Sequence, residues 1–125
     1  MSGNSSNGGS GFGGGGLGNY QGTITLINST VSGNTANNVG GGLTGGFGPL
    51  TLTSSTITGN SASYGGGVYT EDALTLGNSL IAGNSASVLG PEIRVAGVGT
   101  LNSQGHNLFG VNNDSGLSGA TPAAT

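Results

Sequence analysis

The sequence predicts an all-β fold, a parallel β-helix (β-solenoid) of about 4–5 coils of about 25 residues, with three short strands per coil. Three observations predict it. A Gly-Asn pair recurs at Gly33-Asn34, Gly59-Asn60 and Gly83-Asn84, at intervals of 26 and 24 residues. Apolar residues keep fixed offsets from that pair in all three copies. Each apolar run is short and alternating, which is the pattern of strands and leaves no room for helical periodicity. A repeat of this length is one structural unit that buries its apolar face only against its neighbours.

Each part of the coil has its own signature. "TITL", "PLTL" and "ALTL" place Ile24, Leu50 and Leu74 in one column and Leu26, Leu52 and Leu76 in a second. Residues two apart on a strand share a face, so both columns point inward and Thr25, Thr51 and Thr75 point outward. Ser29, Ser55 and Ser79 come next, followed two residues later by Val31, Ile57 and Ile81. The spacing from Leu26 to Ser29 is odd, which requires a bend near Ile27 and Asn28. After each Gly-Asn pair comes Ala36, Ala62 or Ala86, fitting a narrow part of the coil. Glycine-rich runs then lead into a third strand at Leu17, Leu43, Val68 and Ile93, spaced 26, 25 and 25. Glycine serves the sharp bends, where positive φ is expected. Stacked at about 4.8 Å, like residues form ladders along the axis. Asn34, Asn60 and Asn84 are expected to form one, their amides hydrogen-bonding from rung to rung.

Composition narrows the function classes. Thirty of 125 residues are glycine, and Ser, Thr and Asn fill much of the rest. Such a bias often marks disorder, but disordered chains are usually highly charged. This one has one Arg, no Lys, four acids and one His, for a formal charge of −3. With nothing to neutralise phosphates, nucleic-acid binding is disfavoured. Cysteine is absent, so disulfides and thiolate metal sites are excluded. No apolar run approaches a membrane span. The opening "MSGNSSNGGSGFGGGG" lacks the basic and apolar regions of a signal peptide. The expected organisation is a glycine-rich segment over 1–13, a solenoid over 14–111 and a small-residue tail over 112–125.

"STVSGNTA…GGGL", "STITGNSA…GGGV" and "GTLNSQGHNLFG" resemble right-handed parallel β-helix repeat proteins of the pectin-lyase-like superfamily, and more narrowly bacterial surface and secreted β-helix repeat proteins. The resemblance covers about residues 14–110, and its matching residues are those that build coils. It implies right-handed coiling and an extracellular or cell-surface location. It also implies that "GHNLFG", residues 105–110, forms the last coil, with Leu108 and Phe109 continuing the core column.

Superfamily members that cleave pectin use clustered aspartates, or calcium-binding carboxylates with a basic residue. Here the best candidate surface site is Glu71, Glu92 and Arg94, with Glu92 about one rung after Glu71. Asp72, Asp114 and His106 complete the set of titratable candidates, and Glu71 and Asp72 are expected at a bend. Two acids near an Arg fall short of glycosidase or lyase machinery and read better as a solvated edge with a weak ion pair. The glycine runs hold no acids, so calcium β-roll repeats are excluded, and "GGSGFGGGGLG" lacks the lysine of a phosphate loop. No catalytic residue, metal or cofactor is expected. Polysaccharide binding would call on exposed aromatics, for which Phe12, Tyr20, Phe47, Tyr64 and Tyr69 are the candidates. Ice binding would call on the Thr25, Thr51, Thr75 file, but its flanking files are broken by Pro49, Ala73 and Gly77.

A solenoid has two open ends, and natural ones are blunted by caps. No amphipathic helix is predicted at the N-terminus to serve as one. Scarcity of charge also removes the usual defence against edge pairing. Two explanations are open: the chain is a piece of a longer, adhesin-like surface protein, or its ends pair with further copies stacked axially into a head-to-tail assembly. The second is the expectation.

Overall fold

A computed structural model describes residues 1–7, 11–110 and 117–118 of the chain. Its strands form four sheets, every pairing between them is parallel, and each sheet runs along the axis. The first holds Leu17–Gln21, Leu43–Phe47, Val68–Thr70, Ile93–Val95 and Leu117–Ser118. The second holds Ile24–Ile27, Leu50–Thr53, Leu74–Gly77 and Leu101–Ser103. The third holds Thr30–Ser32, Thr56–Thr58, Leu80–Ala82 and Leu108–Phe109. The fourth holds Ser5–Ser6, Thr35–Ala36, Ser61–Tyr64 and Ser85–Leu89. One coil visits the four sheets in turn, so the chain is a parallel β-solenoid.

The three expected strands per coil are all present, and the fourth sheet adds one. It arises at the alanine column, the narrow part of the coil. Ala36 and Ala62 are buried there, and their small side chains let successive rungs pair closely on that side too. The solenoid also reaches beyond 14–111. Ser5–Ser6 pairs with Thr35–Ala36, and Leu117–Ser118 pairs with Ile93–Arg94. The rest of the expected tail lies outside the described residues.

Register follows the sequence columns. Ile24, Leu50, Leu74 and Leu101 are Cα partners in succession, as are Val31, Ile57, Ile81 and Phe109. With Leu43, Val68, Ile93, Leu52 and Leu76 they make one continuous core. The register is locked because slipping by one residue would turn the core leucines to solvent. The same rule corrects one expectation. Leu108 and Phe109 cannot both continue the core column, since adjacent strand residues face opposite ways. Phe109 packs inward beside Ile81, whereas Leu108 points out and is 65% exposed.

At the corner between the second and third sheets the recurring left-handed position is held by residues other than glycine, joined in the last coil by Gly105 at φ 95°. Asn28, Ser54, Asn78 and His106 all occupy the left-handed region there, with φ between 50° and 57°. Asn tolerates this conformation because its short amide bonds locally, whereas other L-residues pay roughly 1–2 kcal/mol. His106 is thus placed by the corner itself. Ser54 is the residue least suited to the column. Replacing Ser54 with Asn, as at Asn28 and Asn78, should raise stability by up to about 1 kcal/mol, as measured by urea unfolding.

Candidate functional site

Inside the corner between the third and fourth sheets, asparagines form the expected file and hydrogen-bond from rung to rung. The backbone N–H and side-chain Nδ2 of Asn34 both donate to Oδ1 of Asn60, at 2.9 and 3.0 Å. Those of Asn60 donate to Oδ1 of Asn84, at 3.0 and 2.9 Å. Asn4 adds a rung above, donating through both groups to Asn34 Oδ1 at 2.9 Å. The spare amide hydrogen of Asn60 goes to the carbonyl of Val31, and that of Asn84 to the carbonyl of Ile57. Asn34 and Asn60 are fully buried, so each amide satisfies backbone that water cannot reach. Gly16, Gly42 and Gly67 lie against this file. A Cβ on Gly67 would stand 2.9 Å from Nδ2 of Asn84 and 2.6 Å from the carbonyl oxygen of Glu92.

At Glu92 that glycine column ends, and the carboxylate turns inward. Oε2 accepts from Asn84 Nδ2 at 2.6 Å and Asn84 N–H at 3.3 Å, while Oε1 accepts from Gly83 N–H at 3.0 Å. The carboxylate therefore stands where the next asparagine carbonyl would stand, and it terminates the ladder. Glu92 is only 4% exposed. Burial pushes its carboxyl above the ordinary carboxylate range, and the bonds from Asn84 and Gly83 pull it partly back.

A second file runs beside the first. Ser29 N–H donates to Ser55 Oγ, and Ser55 N–H to Ser79 Oγ, both at 3.2 Å. Ser79 N–H then donates to Asn107 Oδ1 at 2.8 Å, so Asn107 closes the serine file as Glu92 closes the asparagine file.

The expected surface trio is therefore divided. Glu92 is inside, because the ladder needs an acceptor at its last rung. Glu71 and Arg94 remain outside, on either side of Tyr69. Arg94 is the Cα partner of Tyr69, and Glu71 accepts the Tyr69 hydroxyl proton at 2.8 Å. Burial, followed by that hydrogen bond and the Glu71 charge, pushes the Tyr69 phenol up to about 12, with Arg94 opposing. The phenol is consequently a standing donor at any physiological pH.

Around Tyr69 the structure gathers side chains that the sequence scatters. Phe12 lies 5.4 Å from Tyr20, 5.9 Å from Phe47 and 6.3 Å from Tyr69, ring centre to ring centre, and Tyr20 meets Phe47 edge-on at 5.5 Å. Tyr20 and Phe47 remain 56% and 55% exposed. Beside the cluster a cleft of about 240 Å³ is lined by Asn38, Val39, Tyr64, Tyr69, Arg94 and Ala96. Tyr69 belongs to both. The alignment of Val68 with Ile93 already implies that Tyr69 neighbours Arg94; the approach of Phe12, from a glycine-rich stretch, has no periodic signal.

The other outer faces carry little chemistry. A trough along the fourth sheet is lined by alanines and serines with Asn37. Thr25, Thr51 and Thr75 stack in register on the second sheet, and Ile27, Thr53 and Gly77 form the broken file beside them. Among the described residues, no three of His, Asp and Glu come together in a way that could hold a metal ion.

These features define a β-solenoid repeat protein whose buried polar files are structural and whose varied side chains meet on one outer face. No protein-family model, curated protein or solved structure matches the chain. The resemblance to the pectin-lyase-like superfamily thus rests on the coil-building motif.

Two outcomes follow from the ladder. Asn60→Ala strands the buried donors of Asn34 and the carbonyl of Val31, and at about 1–3 kcal/mol per group it should cost about 3 kcal/mol or more. Asn4→Ala, at the solvent end, should cost less than about 1 kcal/mol; urea unfolding of both variants compares them. For Glu92 the folded pKa lies above the unfolded one. Its contribution is therefore complete below about pH 4.5 and is lost as pH rises through the folded value. Unfolding free energies from pH 4 upward should show that decline in the native protein and lose it in Glu92→Gln.

Proposed function

We propose that this chain is a non-enzymatic structural β-solenoid that works outside the cell or at its surface, with copies joined end to end along the axis. What carries this reading is the state of the end rungs. Leu43, Leu50 and Leu52 in the second rung are fully buried, whereas Leu17 and Leu26 in the first are only partly covered. Apart from Phe47, the large exposed apolar side chains among the described residues lie at or beside the terminal strands: Met1, Tyr20 and Ile27 at one end, and Val88, Leu89, Val98 and Leu108 at the other. Among the described residues, the second sheet ends in the bare edges of Ile24–Ile27 and Leu101–Ser103. A strand edge of this kind is a template for another strand, and the chain places no Lys there to repel one. A heterologous contact between unlike ends that does not close into a ring extends into a filament. The extracellular setting is what the coil motif's resemblance implies.

The assembly is testable by length. Four stacked rungs span roughly 15–20 Å. Negative-stain electron microscopy and sedimentation of the purified protein should show rods several times longer, shortening on dilution. Ile24 N–H bonds to the second rung, so by alternation Thr25 N–H faces the open side. Thr25→Pro should then reduce association while circular dichroism retains the β signature. Particles of single-coil-stack length at every concentration would sink the proposal.

A further inference from the structure

We infer that the outer side of the first sheet is a binding site for a neutral linear polysaccharide, seated in the Tyr64–Tyr69 cleft and running obliquely across the rungs over the Phe12 cluster. The inference does not rest on end-to-end stacking.

Distribution is the first observation. Of the three tyrosines and three phenylalanines in the chain, only Phe109 is in the core. The other five all lie in the cluster or in the adjoining cleft. The single arginine is there too, as Cα partner of Tyr69, and so is Glu71. The other outer faces carry threonine, serine, alanine and asparagine with isolated aliphatic residues such as Ile27, Leu89 and Leu108, and none of the tyrosines or phenylalanines. A fold whose rungs repeat has no internal reason to collect its aromatic residues on one side, because they do not recur from rung to rung.

Chemistry selects the ligand. A sugar ring has an apolar C–H face and a rim of hydroxyl groups, so it needs an aromatic surface with both donors and acceptors at its edge. Tyr64 and Tyr69 supply aromatic surface, Asn38 supplies a donor and an acceptor, and Glu71 supplies an acceptor. The cleft, at about 240 Å³, is smaller than the ~300–1,000 Å³ that holds drug-sized molecules, and suits one ring-sized unit. Geometry extends the site. Tyr20 is in the first rung, Phe47 in the second and Tyr69 in the third, with Arg94 in the fourth. Rungs stand about 4.8 Å apart, so the strip rises roughly 14 Å over four rungs. It crosses the sheet obliquely, since Tyr69 and Arg94 are level with Thr44 and Gly18 whereas Tyr20 and Phe47 lie further along their strands. That is the reach of a few sugar units in an extended chain.

The surface is a poor match for a protein partner. The rings are tilted by 48–83° to one another and are interleaved with hydroxyl and charged groups, whereas an interface core is closely packed and depleted of charge. Charge also argues against an acidic glycan. Glu71 and Asp72 outnumber Arg94 locally, and the chain as a whole carries −3. This site therefore takes a different ligand from the acidic polymers on which pectin-cleaving β-helices act.

Affinity electrophoresis and pull-down should be run with the full chain against cellulose, xylan, a β-1,3-glucan, chitin and polygalacturonate. At least one neutral polymer should retain the protein, and polygalacturonate should not. Tyr64→Ala combined with Tyr69→Ala should weaken retention roughly tenfold or more. Tyr69→Phe should keep most of it, and Thr51→Ala, on the second sheet, should change nothing. Far-ultraviolet circular dichroism and thermal unfolding of each variant separate lost binding from lost fold. If the double variant unfolds, Tyr64→Ala alone, whose ring stands outside the four-ring cluster, provides the comparison. The inference is overturned if no neutral polymer is retained, if polygalacturonate is held at least as well, or if folded variants lacking the tyrosines bind unchanged. It is equally overturned if those variants lose self-association and nothing else.

Discussion

The structure depends on a buried amide that must find its partner one rung away. Apolar columns alone would hold the coils together, but leucine stacked on leucine tolerates small shifts along and across the strand. An asparagine that donates twice to the next asparagine does not. Each Oδ1 is placed to receive a backbone N–H and a side-chain N–H together, which fixes the corner of one coil over the corner of the next. In a low-dielectric interior an unmade bond of this kind is costly, so the buried rungs of the file have to be satisfied together. The glycines at positions 16, 42 and 67 follow from it, since any Cβ there would crowd the file or the neighbouring carbonyl. Composition that looks like that of a linker is thus the consequence of packing one polar ladder inside a coil.

How much of this is legible in the sequence depends on whether a feature repeats. Columns that recur three times, such as Ile24/Leu50/Leu74 and Asn34/Asn60/Asn84, give fold and register directly. The fourth sheet is less legible because alanine and serine have no marked strand preference, and a column of them reads as a bend. Departures from the repeat are the least legible. Glu92 replaces a glycine, and from the sequence alone a carboxylate in a run of polar residues belongs on the surface. Only the coil geometry shows that its side chain reaches the donors of Asn84. Leu108 is hidden for a different reason: one coil ends there, and no later copy reveals which of Leu108 and Phe109 holds the core column.

The same distinction separates structure from function in this molecule. Residues that repeat are committed to the fold, and their identity is dictated by the rung above and the rung below. Residues that occur once have no such obligation. Tyr20, Phe47, Tyr69 and Arg94 occupy exposed positions of one sheet without recurring in any one column, and Glu71 accepts a hydrogen bond from Tyr69. Chemistry in a solenoid has to be found among these unrepeated positions, which is why the coil motif is informative about architecture and silent about ligand.

The two terminators, Glu92 and Asn107, bear on how such a rod could be extended. Each closes a hydrogen-bonded file from within the chain, leaving no donor of Asn84 or of Ser79 directed at a following subunit. At the opposite end Asn4 is exposed and its own carbonyl oxygen is the first in the file. The polar ladders are therefore finite and directional, acceptor-first and donor-last, with the final donors already occupied. An end-to-end junction has to be made by backbone edges and by the apolar cross-section of the coil, through Leu17, Ile24 and Leu26 on one side and Leu101 and Phe109 on the other. Such a junction lacks the amide file that sets register inside the subunit, so it must be weaker per rung than the coils it joins. A rod assembled in that way would be rigid within each subunit and separable between subunits.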